Sequence, residues 1–155
     1  MAPPNNIEKI QSILAAAREI MAGQTYCALI TLDSQGRPQI RTMNPFPTEA
    51  DMSVWMATNS RSRKVAEIRN NPHVSLYYAN HKEATGTVVI HGEARLVDDM
   101  EEKLKRKRAY WDQSFPDWKY LMLIQVVAKE IEVLNYRCSF LNDPVTWRIP
   151  SLDLE

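Results

Sequence analysis

Along the chain the apolar positions change period several times, and each change marks an element. Ile7, Ile10, Leu14, Ala17 and Met21 recur at alternating spacings of three and four, which predicts a helix with one apolar face. Asn5 or Asn6 can cap it, and Gly23 supplies its stop. Residues 25–32 (TYCALITL) then form a continuous, β-branched apolar run, the pattern of a buried strand. Asp33-Ser34-Gln35-Gly36 is a turn, and 37–46 returns as the second strand of a hairpin that Pro45 and Pro47 end. A third strand is predicted over 52–58, followed by a helix from Ser60 to about Arg69 that Asn70-Asn71-Pro72 closes. Val74, Leu76 and Tyr78 alternate in a fourth strand. Residues 85–97 make a long fifth, with Gly86 and Gly92 as candidate bends.

Asp98 can cap a third helix reaching about Tyr110, and an aromatic loop (Trp111, Phe115, Pro116, Trp118) follows. A sixth strand is predicted over 120–135, interrupted near Ala128-Lys129. The last twenty residues read as irregular, and 1–5 and 150–155 as loose termini. Strands that follow one another through turns or a single short helix argue for a six-stranded antiparallel barrel with peripheral helices, in one domain over 1–155.

Composition narrows the function. Nineteen basic and nineteen acidic residues cancel, so the chain lacks the basic excess of a nucleic-acid binder. An anionic ligand would need a local cluster of charge. The opening Met-Ala-Pro-Pro-Asn-Asn shows no secretory pattern, and no apolar run reaches the roughly 18 residues of a membrane span, so a cytoplasmic protein is expected. Cys27 and Cys138 match no metal or redox spacing and read as two buried thiols. His73, His81 and His91 are not spaced as metal ligands, and no nucleophile or acid–base set is visible. His91 reads as a hydrogen-bonded structural histidine.

Two helices differ in charge order. The third places Asp98, Asp99, Glu101 and Glu102 before Lys103, Lys105, Arg106, Lys107 and Arg108, the order the helix dipole favours, and so reads as a solvated surface helix. The second carries Arg61, Arg63 and Lys64 first, with Glu67 later. Each misplaced cation costs about 0.3–1 kcal/mol unless an anion sits there to compensate. Free N–H groups at a helix start, with the hydroxyls of Ser60 and Ser62, suit a phosphate. The alternative is three basic side chains splayed into water. Arg41, on the second strand, could reach the same end of the barrel if the second and third strands pair.

The order of G-R-P-x-I-R-T-M, W-M-A-T-N-S-R-S-R-K-V and N-N-P-H-V-S-L-Y resembles the FMN-binding split-barrel flavoproteins related to pyridoxamine 5′-phosphate oxidase. The strand V-V-I-H-G-E-A-R-L-V-D-D and the aromatic loop are similar to its general stress protein branch. The resemblance covers residues 7–135. It implies a Greek-key split β-barrel, FMN as cofactor, and a homodimer with the flavin at the subunit interface. It assigns the phosphate to Arg41, Arg63 and Lys64, with Ser62 beside them, and the ring's neighbours to Thr42, Met43, Asn44, Ala57 and Thr58. Thr87 stands where the oxidase has a flavin-contacting Gln.

The C-terminal stretch E-I-E-V-L-N-Y-R-C-S-F-L departs from the oxidase. Leu134 replaces a Trp, and the Arg-x-His that holds the substrate phosphate is missing, so pyridoxamine phosphate oxidation is not expected. The resulting expectation is an FMN-dependent oxidoreductase passing electrons between a reduced donor and a small acceptor. A non-catalytic flavin-binding stress or sensor protein, or a haem- or deazaflavin-binding one, is the alternative.

Overall fold

The computed structural model describes residues 5–155; residues 1–4, part of the expected loose N-terminus, lie outside it. Helix α1 (Asn6–Ala22) starts in a capping box, Asn5 Oδ1 accepting from Glu8 N–H at 2.8 Å while Glu8 accepts from the Asn5 N–H at 3.0 Å. Its buried stripe is Ile13, Ala16, Ala17, Ile20 and Met21, turned from the predicted one, and Ile7 is exposed. The small Ala16 and Ala17 bring the helix close to the sheet: the Ala16 carbonyl accepts from the buried Asn135 side chain at 3.0 Å.

Seven strands form one antiparallel sheet: β1 (Cys27–Leu32), β2 (Pro38–Met43), β3 (Val54–Asn59), β4 (His73–Ala79), β5 (Gly86–Val97), β6 (Leu121–Asn135) and β7 (Ser151–Asp153). The order is β2-β1-β4-β5-β6-β3, with β7 paired to β6. The predicted count of six is thus one short. The missed strand is three residues long, inside the stretch expected to be irregular, and pairs Leu152 with Ile131. A strand so short carries too little alternation to be read without its partner.

β2 and β3 do not pair; they stand at opposite ends of the strand order. What links them is α2 (Arg63–Asn70), which follows β3 and reaches side chains of β1 and β2. Arg41 thus reaches the same end of the barrel as α2 through a helical bridge, without a β2–β3 ladder.

The anticipated interruption of β6 is a bulge. His91 faces Glu130 while Gly92 faces Ala128, leaving Lys129 as the extra residue. Burial along β6 changes phase there: Ile124, Val126 and Ala128 point inward before it, Ile131, Val133 and Asn135 after it. Gly92 is required opposite the bulge because a Cβ there would lie 2.2 Å from the Val127 carbonyl oxygen.

The barrel interior is one apolar cluster including Leu29, Met56, Leu76, Ile90 and Val126. A second cluster of Trp55, Trp111, Leu121 and Leu123 sits beneath α3 (Met100–Arg106) and α4 (Trp111–Ser114). The predicted helix over 98–110 is shorter than expected and is not wholly solvated. Lys103 is buried, ion-paired with Asp98. Arg106 stacks 3.9 Å from the Trp55 ring centroid, and Arg108 3.9 Å from that of Phe46 while donating to the Asn44 and Pro45 carbonyls. These long side chains cover aromatic surface with their stems and planes, which a charge pattern alone does not disclose.

Candidate functional site

The second helix begins at Arg63, with Ser62 at the N-cap position, three residues later than Ser60. Arg61 therefore precedes it and turns away, its guanidinium 3.7 Å from the Tyr120 ring centroid. The first turn keeps Arg63 and Lys64 and contains no acid. Ser62 Oγ is buried and has no hydrogen-bond partner, and no side chain caps the helix. A buried hydroxyl left unpaired costs about 1–3 kcal/mol, so an acceptor at this helix start would relieve it.

Arg41 and Lys64 converge on the same end of the barrel. Arg41 Nη1 donates to Thr31 Oγ1 at 2.6 Å, to the Gln39 carbonyl at 3.1 Å and to the Leu29 carbonyl at 3.2 Å. Its Nη2 pairs with Glu67 Oε1 at 3.1 Å. Arg63 also reaches Glu67, at 3.4 Å, and donates to Gln39 Oε1 at 2.8 Å. Lys64 Nζ donates to Thr58 Oγ1 at 3.0 Å, leaving two of its three donors to spare. Burial, and then the charge of Arg41, pushes the Lys64 ammonium below the ordinary lysine range. Burial likewise lowers Arg41, against the pull of Glu67 and with the repulsion of Arg63. Three cations thus share one carboxylate. The cluster is short of negative charge, and a phosphate would supply it.

Of the ten expected positions, Arg41, Thr58, Ser62, Arg63 and Lys64 gather here. Thr42 is exposed and Met43 buried at the far end of β2, and Ala57 is half-buried on β3. Asn44 is held inside the chain, its carboxamide oriented to donate to the Thr25 carbonyl and accept from Arg108, both at 3.2 Å. Thr87 is not brought to the cluster: it pairs with Ala79 and Leu134, and β1 and β4 separate β5 from β2. Thr31 and Gln39 were missed, and Glu67 was read only as a late acid. The Arg63–Glu67 spacing of four was the available signal.

A cavity of about 530 Å³ lies elsewhere, between α1 and the segment after β2, with Arg18, Met21, Thr25, Asn44, Phe46 and Tyr78 on its walls. It touches the expected site only at Asn44. The Tyr78 hydroxyl is buried there with no hydrogen-bond partner. Its neighbour Cys27 is pushed up to about 12 by burial. Cys138 corrects the sequence reading, being exposed, with Sγ donating to Glu19 at 3.1 Å. Native protein should therefore expose one thiol to an aromatic disulfide reagent, with the second reacting only in denaturant. Two fast thiols would mean that the α1 end of the barrel opens.

His91 is hydrogen-bonded as expected, to Ser75 and Glu132 at 2.8 Å each. Among the described residues no helix is long and apolar enough to cross a membrane.

The family model for pyridoxamine 5′-phosphate oxidase matches residues 13–138. No curated protein sequence gives a match. Among solved structures, general stress protein 26 from Bacillus anthracis is similar, with 23% identity and a TM-score of 0.67 over 77% of this chain and 92% of that one. A pyridoxamine 5′-phosphate oxidase-related, FMN-binding protein from Nostoc punctiforme is 16% identical, with a TM-score of 0.58 over all of both chains. A haem-binding protein from Mycobacterium smegmatis is 13% identical, with a TM-score of 0.68 over 99% of this chain and 60% of that one. At these identities the likeness is one of fold.

Proposed function

The chain belongs to the pyridoxamine 5′-phosphate oxidase family, and we propose that it binds FMN with the phosphate at the N-terminus of α2. The observation that carries this reading is the charge-deficient cluster of Arg41, Arg63 and Lys64 beside the unpaired Ser62 hydroxyl. Bound flavin would supply hydride and electron transfer.

The residues divide the work. Lys64 has spare donors and Arg63 is mostly exposed, so these two and Ser62 would hold the phosphate oxygens directly. Arg41 has four hydrogen bonds within the protein and acts as a fixed positive charge behind them. Thr42, Met43, Ala57 and Thr58 would border the ring, with Asn44 held by its bonds to Thr25 and Arg108. Thr87 lies away from this anchor, so any flavin contact it makes would need the homodimer that the family resemblance implies. An oxidoreductase taking electrons from a reduced donor to a small acceptor is the activity this reading supports. The haem alternative needs an axial ligand, and a haem titration of His91→Ala tests it.

The purified protein should be yellow and release FMN. A charge-assisted hydrogen bond is worth about 1.5–3 kcal/mol, so Arg63→Ala or Lys64→Ala should weaken FMN binding roughly 10–150-fold in a fluorescence-quenching titration. Lys105→Ala on α3 should leave it unchanged. Arg108 is no control, because it holds the Asn44 and Pro45 carbonyls. Equal losses from α2 and α3 variants would place the phosphate elsewhere. Rapid flavin reduction by a nicotinamide donor marks an enzyme, and its failure with both NADH and NADPH marks a flavin-holding protein.

A further inference from the structure

On the outer face of the sheet, away from α2, three metal-ligating side chains converge that no spacing in the sequence connects. His91 lies on β5, and Glu130 and Glu132 on β6, and one donor atom from each lies within 4.8 Å of the others. We propose that these three residues bind a divalent transition-metal ion.

The bulge at Lys129 makes the group. Before it, even-numbered residues of β6 face the barrel interior, and without it Glu130 and Glu132 would follow Val126 and Ala128 inward. The extra residue reverses the phase, so both carboxylates emerge on the same face as His91. His91 is then directly opposite Glu130, with Glu132 one diagonal step along. Two carboxylates and an imidazole on adjacent strands offer three points of a metal's coordination shell.

Two further observations point to a cation. Ser75 on β4 holds His91 Nδ1 at 2.8 Å, which turns Nε2 toward the glutamates. Fixing the remote ring nitrogen by a hydrogen bond is how ligating histidines are oriented. Glu130, moreover, has neither an ion pair nor a side-chain hydrogen bond among the described residues. Its neighbour Lys129 pairs instead with Glu155, at 3.1 Å. The carboxylate of Glu130 therefore stands beside that of Glu132 with no cation between them.

A tetrahedral ion about 2.0–2.2 Å from each ligand needs donors roughly 3.4 Å apart. The present His91–Glu132 bond is 2.8 Å, and small rotations of two flexible glutamates bring all three atoms into range. An imidazole with two carboxylates favours zinc, manganese or cobalt over calcium or magnesium, which take oxygen alone. Three protein ligands leave one position for water or another donor.

The test uses Zn²⁺ and the full chain carrying Cys138→Ser, so that the exposed thiol contributes nothing. Competition against a chromophoric chelator should show one Zn²⁺ per chain. His91→Ala should abolish that uptake, and Glu130→Gln or Glu132→Gln should weaken it at least about 10-fold. Ser75→Ala, which removes only the orienting bond, should weaken it by about 10–100-fold. His81→Ala, in the turn after β4, should not matter. Co²⁺ substitution should give the visible absorption of a nitrogen–oxygen site, which a merely misfolded variant lacks. No Zn²⁺ uptake by the parent chain, or uptake that survives His91→Ala with circular dichroism intact, would overturn the proposal. The result does not depend on FMN, since neither His91 nor either glutamate touches the α2 cluster.

Discussion

Trp111→Ala should destabilise the protein by about 3–5 kcal/mol, the range for deleting a fully buried large aromatic. Trp111 is 0% exposed although it opens the four-residue helix α4. It meets Phe46, Phe115 and Trp118 edge to face, with centroids 6.0, 6.2 and 6.0 Å away. Each such pair adds about 0.5–1.5 kcal/mol beyond area burial. The cluster is also what fastens the region of α3 and α4 to the outer faces of β3 and β6. Its indole N–H has no partner, so Trp111→Phe loses volume and no hydrogen bond, and should cost less than the alanine change. Urea unfolding followed by circular dichroism measures both. A loss below about 1 kcal/mol for Trp111→Ala would show that the aromatic cluster closes over the gap.

Arg41→Ala should have two effects that a second substitution separates. Glu67 is only 6% exposed, and its closest cationic contact is Arg41 at 3.1 Å. Breaking a buried ion pair from one side costs about 3–5 kcal/mol. The lower end is expected here, because Arg63 still reaches Glu67 at 3.4 Å. FMN affinity should fall as well, because the fixed positive charge behind the phosphate site is lost. Adding Glu67→Gln removes the stranded carboxylate, so Arg41→Ala/Glu67→Gln should recover much of the stability. It should not restore the affinity lost with Arg41 to the level of Glu67→Gln alone. Denaturant midpoints and flavin titrations on the four proteins of the cycle decide this. Stability and affinity recovering together would mean that Arg41 serves only to hold Glu67.

Much of the fold is legible one element at a time. The alternation of Val74, Leu76 and Tyr78, the β-branched run over 25–32 and the turn at Asp33 to Gly36 are local patterns, and the strands lie there. The interruption of β6 and the bend at Gly92 were both visible, though not that they face each other across one bulge. The phosphate anchor was legible for an electrostatic reason: cations at the start of a helix stand out without any coordinates. Glu67, Thr31 and Gln39 were not, because they matter only through what they touch after folding. Cys138 looked buried from its apolar neighbours, yet it lies past the end of β6 where the chain turns into solvent.

By itself, then, the sequence determined the first six strands and the basic helix start, because each rests on short-range periodicity, backbone preference or unscreened local charge, while the order of its motifs pointed to the family. Tertiary structure decided the rest. It placed β2 and β3 at opposite edges and brought Arg41 to Lys64 through α2. It buried Lys103 beneath charges that looked solvated, and it paired β7 with β6. It also set His91 beside two glutamates forty residues away, because a single bulge reversed the phase of one strand. Those outcomes depend on pairing and packing between distant segments, and a one-residue change of register or a helix's choice of face has no signature within the segment itself.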